Sequence, residues 1–210
     1  MPSPQTILDG LTALANEWIG LAIVWHLLLG GLLVMLAGGF RPSLRTFAMF
    51  IALPLVSVSA LAWLAGNPFN GGVFAVLSAA LTATAMRLPN RPIAISGTVQ
   101  LMAAALSIGF GWVYPHFLSG EAALPYLYAA PLGLIPCPTL SVLVGLTLLV
   151  DLAESRPWAL TVVASALVYS LIGMFRLGVA LDAGLLLGAV WLGVSALIHR
   201  RIAITAFGTP

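Results

Sequence analysis

Along the whole chain, apolar runs of about 20 residues alternate with short connectors carrying the polar and charged positions. The runs fall at 18–37, 44–65, 69–86, 93–117, 124–150, 158–179 and 181–198. A bilayer core about 30 Å thick is crossed by about 20 helical residues. The pattern therefore predicts an all-α polytopic membrane bundle of seven transmembrane helices, forming a single domain over residues 1–210. Ahead of the first run, Ser3 can cap a helix with Pro4 at its first position. Ile7, Leu8, Leu11, Leu14 and Ala15 then recur at helical spacing, which predicts a short interfacial helix over about residues 4–16. A secretory signal needs a positive leading flank, whereas Asp9 and Glu17 precede the first run, so it is expected to remain as a span.

Composition narrows the function classes. Hydrophobic residues make up 61% of the chain and charged ones 7%, against roughly 45–50% and 25% in soluble domains. That excludes a soluble fold for these residues, and no extramembrane domain is expected among them. All eight basic residues are arginines, so no lysine amine is present for a Schiff base, which excludes retinal proteins of that type. The arginines sit in short connectors and do not cluster on one face, so the expected partner is the lipid bilayer, with other membrane subunits as a second class, and not nucleic acid. With Cys137 the sole cysteine, no intrachain disulfide can form.

Orientation follows from the arginines, because cytoplasmic connectors retain them. With the N-terminus outside and the C-terminus inside, Arg41, Arg45, Arg87, Arg91, Arg156, Arg200 and Arg201 all fall in the cytoplasm, and only Arg176 falls outside. Trp18, Trp63 and Trp112 would then mark the outer interface and Trp158 the inner one. The expected location is a bacterial inner membrane.

The segment of greatest chemical interest is Pro131-Leu-Gly-Leu-Ile-Pro136-Cys137-Pro138-Thr139-Leu-Ser141 in the fifth run. Prolines cannot donate to the carbonyl four residues back. The fifth helix is therefore expected to break, exposing backbone groups as transporters do, or to kink with Thr139 and Ser141 satisfying the freed carbonyls. Cys137 at its centre reads either as a soft-metal ligand or as a small buried hydrophobe. His26 lies about 13 Å into the first span, between Ala22 and Gly30, and is expected to face the bundle, either hydrogen-bonded or as a haem, metal or proton-relay group. Haem ligation with His116 would have to bridge an expected depth difference of about 10 Å. Arg176 and Asp182 flank a short outer turn and are expected to pair with each other. Alternatively they join Tyr114, His116, Glu121, Tyr126 and Tyr128 in an outward polar mouth. No constellation for catalysis is apparent, and no cofactor is specified.

Tyr114-Pro115, then Gly133-Leu-Ile-Pro136-Cys137-Pro138-Thr139, then Leu171-Ile-Gly173 and Leu177-Gly-Val179 with Asp182 and Leu185 resemble an uncharacterised bacterial family of small polytopic membrane proteins. Members of that family carry a Tyr-Pro pair, a Gly-x-Pro-Cys-Pro-Thr-Thr element and a Gly-Val-x-x-Asp element in this order. The resemblance covers about residues 110–190, and Leu140 stands where the family has its second Thr. It implies a seven-helix inner-membrane protein and no activity.

Three functions are compatible with these features. A small-solute or ion permease is favoured by the broken fifth helix, although coupled transport calls for an ionisable group at depth. A non-catalytic subunit or assembly partner needs no such group. A haem- or metal-binding redox protein needs His26, His116 or Cys137 to converge.

Overall fold

A computed structural model describes residues 3–120 and 122–207, with side chains described up to residue 198. Within these residues the chain folds as helices without strands: α1 Pro4–Glu17, α2 Ile19–Ala37, α3 Leu44–Leu64, α4 Pro68–Arg87, α5 Thr98–Val113, α6 Tyr126–Ala129, α7 Pro136–Leu149, α8 Arg156–Leu171 and α9 Ala183–Phe207. A π-helical turn, Ile172–Arg176, continues α8. Five helical segments are long and apolar enough to cross a membrane: Ile19–Ala37, Leu44–Leu64, Pro68–Arg87, Arg156–Arg176 and Ala180–Ile198. The chain is thus a helical membrane protein, with α5 and α7 as shorter apolar helices.

Local sequence sets the ends. Ser3 accepts from the Thr6 amide at 3.1 Å and Pro4 occupies the first turn of α1, as expected. Ser43 caps α3 in the same way, accepting from the Thr46 amide at 3.1 Å. The fourth and fifth predicted spans are both too long. In place of 93–117 the helix covers Thr98–Val113, because Tyr114 precedes a proline and leaves the helical region at φ −20°, ψ 95°. In place of 124–150 there is a turn of helix at Tyr126–Ala129, a non-helical stretch, and then α7, whose first and third residues are Pro136 and Pro138.

Two ends of the bundle can be told apart. At the basic end, which bears Arg41, Arg45, Arg87, Arg91 and Arg156, the connectors are tied by backbone bonds. Leu44 donates to Arg91 O at 2.8 Å, Ile93 to Pro42 O at 3.0 Å, Ser96 to Leu149 O at 3.0 Å and Asp151 to Ala94 O at 3.0 Å. Arg91 pairs with Asp151 and, at 3.9 Å, with Glu154. Trp158 also lies at this end, but it is fully buried and donates to Thr147 Oγ1 at 3.0 Å. It is a core residue, and not the interfacial anchor expected from the sequence. The opposite end carries Trp18, the 114–135 connector and the 177–182 turn.

The core sits around α7. Every residue from 129 to 148 is buried, and α7 touches α3, α5, α8 and α9. A helix apolar on all sides belongs inside a bundle. α5 crosses it closely, since a Cβ on Gly145 would meet Ala104 O at 2.8 Å and one on Gly111 would meet Pro138 O at 2.5 Å.

Candidate functional site

The break ahead of α7 is built by sequence that cannot be helical. Gly133 adopts φ +75°, and a Cβ there would overlap the Trp25 ring, so only glycine fits without displacement. The expectation that Pro136 and Pro138 strip a helix of backbone bonds is corrected. They occupy the first turn, where amide hydrogens have no intrahelical acceptor, and they remove donors that would otherwise be orphaned. Thr139 Oγ1 donates to Ile135 O at 2.7 Å and accepts from the Gly133 amide at 2.8 Å, closing the turn. Ser57 Oγ of α3 lies 2.5 Å from Gly133 O and 2.9 Å from Pro54 O, and it accepts from Trp25 Nε1 at 2.9 Å. Ser141 donates to Ser107 O at 2.9 Å, linking α7 to α5. The broken backbone is therefore turned towards protein, as hydrocarbon requires.

Cys137, at the second position of α7, meets two residues distant in sequence. Its thiol donates to Asp182 Oδ2 at 3.2 Å, and Tyr114 Oη donates to Asp182 Oδ1 at 2.7 Å. Tyr114 is fully buried, Asp182 is 1% exposed and Cys137 9%, so both carboxyl oxygens are bonded away from water. Three elements aim these groups: the end of α5 carries Tyr114, the first turn of α7 carries Cys137, and the 3₁₀ turn Ala180–Asp182 ahead of α9 carries Asp182. Gly173 makes room, because a Cβ there would overlap the Asp182 carboxyl. Aromatic rings enclose the cluster. Phe110 and Tyr114 meet edge to face at 5.5 Å, and Tyr114 stacks on Phe117 at 6.1 Å. Below it, Tyr169 Oη donates to Asn70 Oδ1 at 2.9 Å and its ring meets Phe74 at 5.1 Å.

The Arg176–Asp182 clasp expected from the sequence is not formed. Asp182 turns inwards to Tyr114 and Cys137 while Arg176 lies on the exposed side of the π turn. Of the residues expected in the outward polar mouth, Tyr114 and Asp182 do meet, but as a buried pair. Tyr114 is in the core, Tyr126 Oη donates to Leu118 O at 3.3 Å, Tyr128 is exposed, and Glu121 lies outside the described residues, as do the Arg200 and Arg201 side chains.

His26 does face the bundle. Its Nδ1 lies 2.8 Å from Ala22 O and its Nε2 3.0 Å from Trp112 O, with the Trp112 ring edge-on at 4.7 Å. Both ring nitrogens face carbonyl oxygens, so the imidazole ties α2 to α5 and has no nitrogen directed at a ligand. His116 packs instead on Phe117 at 4.2 Å. Among the described residues no three His, Cys, Asp or Glu side chains gather where they could hold a metal ion. Sequence reasoning missed Trp25, Asn70 and Tyr169, whose patterns are those of ordinary apolar and interfacial positions. Comparison with known proteins adds nothing to this geometry: no family model, curated protein or solved structure matches the chain.

Proposed function

We propose that the chain is a seven-span inner-membrane permease for a small solute or ion, with the N-terminus outside, in which Asp182 is the proton-exchanging group at the break of α7. The observation that carries this reading is the buried carboxyl held by Tyr114 and Cys137 at an interrupted helix. Coupled transport needs an ionisable group at depth, and hydropathy alone hid one by assigning Asp182 to a surface turn. By helical rise, the 14 residues of α7 and 16 of α5 separate the cluster from the basic end by about 21–24 Å, less than a hydrocarbon slab about 30 Å thick, which supports a position within the bilayer near its outer edge. The arginine distribution supports the orientation and the lipid-facing apolar surface supports the location.

Purified protein in vesicles loaded with a pH-sensitive dye, given a potassium diffusion potential, should pass protons faster than empty vesicles, and Asp182→Asn should abolish the difference. Equal flux with and without the carboxyl would overturn the reading. In that case the cluster is an internal lock, and the subunit reading gains, since Tyr114 and Cys137 satisfy both Asp182 oxygens within the chain.

A further inference from the structure

A cavity of about 400 Å³ opens at the end opposite Arg41, Arg45, Arg87, Arg91 and Arg156, lined by Leu8 of α1, His116 and the 177–181 turn that follows Arg176. That turn leads directly into Asp182, and His116 lies within electrostatic reach of the same carboxyl. Beside the cavity, α1, which contributes Leu8 to its lining, is tied to the connector that contributes His116. Asn16 of α1 donates through Nδ2 to Phe117 O at 2.9 Å and accepts through Oδ1 from the Ser119 amide at 2.9 Å, while a third bond, to Thr12 O at 2.7 Å, fixes its carboxamide. Phe117, the residue held, has φ +78°. A bulky side chain adopts this conformation only where its surroundings impose it, and such strain gathers at switch and clamp positions. Phe117 in turn stacks on Tyr114, which holds Asp182. A continuous set of contacts thus runs from an amphipathic surface helix to the buried carboxyl.

We propose that this cavity is the water entrance to Asp182 and Cys137, that α1 is its lid, and that Asn16 is the positioning residue that holds the lid and the Tyr114 ring in place. This inference rests on the permease reading and extends it by assigning the route. The helix is suited to the part: its apolar side carries buried Leu14 and Ala15 with half-buried Leu8 and Leu11, and Gln5, Asp9 and Glu17 are exposed. Such a helix is held at the boundary between protein, headgroups and water, where few contacts need to break for it to lift.

Because Cys137 is the sole thiol, labelling reports on the route without engineered cysteines. The full-length protein in native membranes is treated with 2-aminoethyl methanethiosulfonate, which forms a mixed disulfide and releases methanesulfinate. Asn16→Ala removes the latch bonds and should speed labelling about tenfold, from hydrogen bonds each of ordinary strength. Ala180→Trp fills the cavity from the turn side and Leu8→Trp from the lid side; both should slow labelling. Unchanged rates in all three variants would overturn the entrance. Altered rates together with carboxyl-independent proton flux would overturn the permease reading and leave the entrance standing; unchanged rates with carboxyl-dependent flux would do the reverse.

Discussion

The two ends of the bundle are fastened by different chemistry. At the basic end, connectors are joined mainly by backbone bonds, with one ion pair added between Arg91, 45% exposed, and Asp151, 9% exposed. At the opposite end, side chain meets side chain in the dark, with Tyr114, Cys137 and Asp182 all buried. Backbone bonding tolerates many sequences, since every residue except proline supplies the same donor and acceptor. The buried cluster depends on particular residue types, because a buried donor or acceptor left alone costs about 1–3 kcal/mol. Substitution should therefore be steeply asymmetric between the ends.

The largest effect should come from the glycine that shapes the break. Gly133→Ala adds a side chain at positive φ and drives it into Trp25, so thermal unfolding in detergent should show a loss of about 3 kcal/mol or more. Next comes the carboxyl. Asp182→Ala leaves the Tyr114 hydroxyl without its partner and the Cys137 thiol with only Tyr169 O at 4.0 Å; it should cost about 2–3 kcal/mol, whereas the double change Asp182→Ala, Tyr114→Phe should cost less than the sum of the singles. Additive energies in that cycle would show that the hydroxyl and carboxyl do not meet. Smallest of all, Arg91→Ala withdraws a half-exposed guanidinium from the largely buried Asp151 carboxylate and should cost about 1 kcal/mol, less in high salt. A loss at Arg91 as large as that at Asp182 would erase the distinction between the ends.

The sequence carried the two ends unequally as well. Long apolar runs and arginine connectors were legible because hydropathy and charge act residue by residue. The break was legible because proline and glycine restrict their own backbone, although its position in the helix was not: Pro136 and Pro138 begin α7 instead of interrupting it. What stayed hidden was the meeting of Tyr114, Cys137 and Asp182. Their separations of 23 and 45 positions have no periodic signature. Pairing Arg176 with Asp182 was the natural reading of neighbours in sequence. The π turn at 172–176 and the positive φ of Gly178 change the direction of the chain between them, sending one outwards and the other into the core. The resemblance motifs did name all three cluster residues, as separate elements in chain order with no indication of contact.

The burial of α7 also dictates an order of assembly. Its neighbours come from both sides in the chain: α3 and α5 leave the ribosome before it, α8 and α9 after it. At 14 residues, about 21 Å, it is shorter than the membrane it must enter, and its opening turn presents the break's polar backbone. While the later helices are still being made, lipid or the insertion machinery must stand in for them around α7. The environment of Cys137 is complete only when Asp182, 45 residues further along, arrives ahead of α9. The pair α8 and α9 thus closes the core around α7, and the hydrogen bond between thiol and carboxyl forms only after α5, α7 and α8 have all been made.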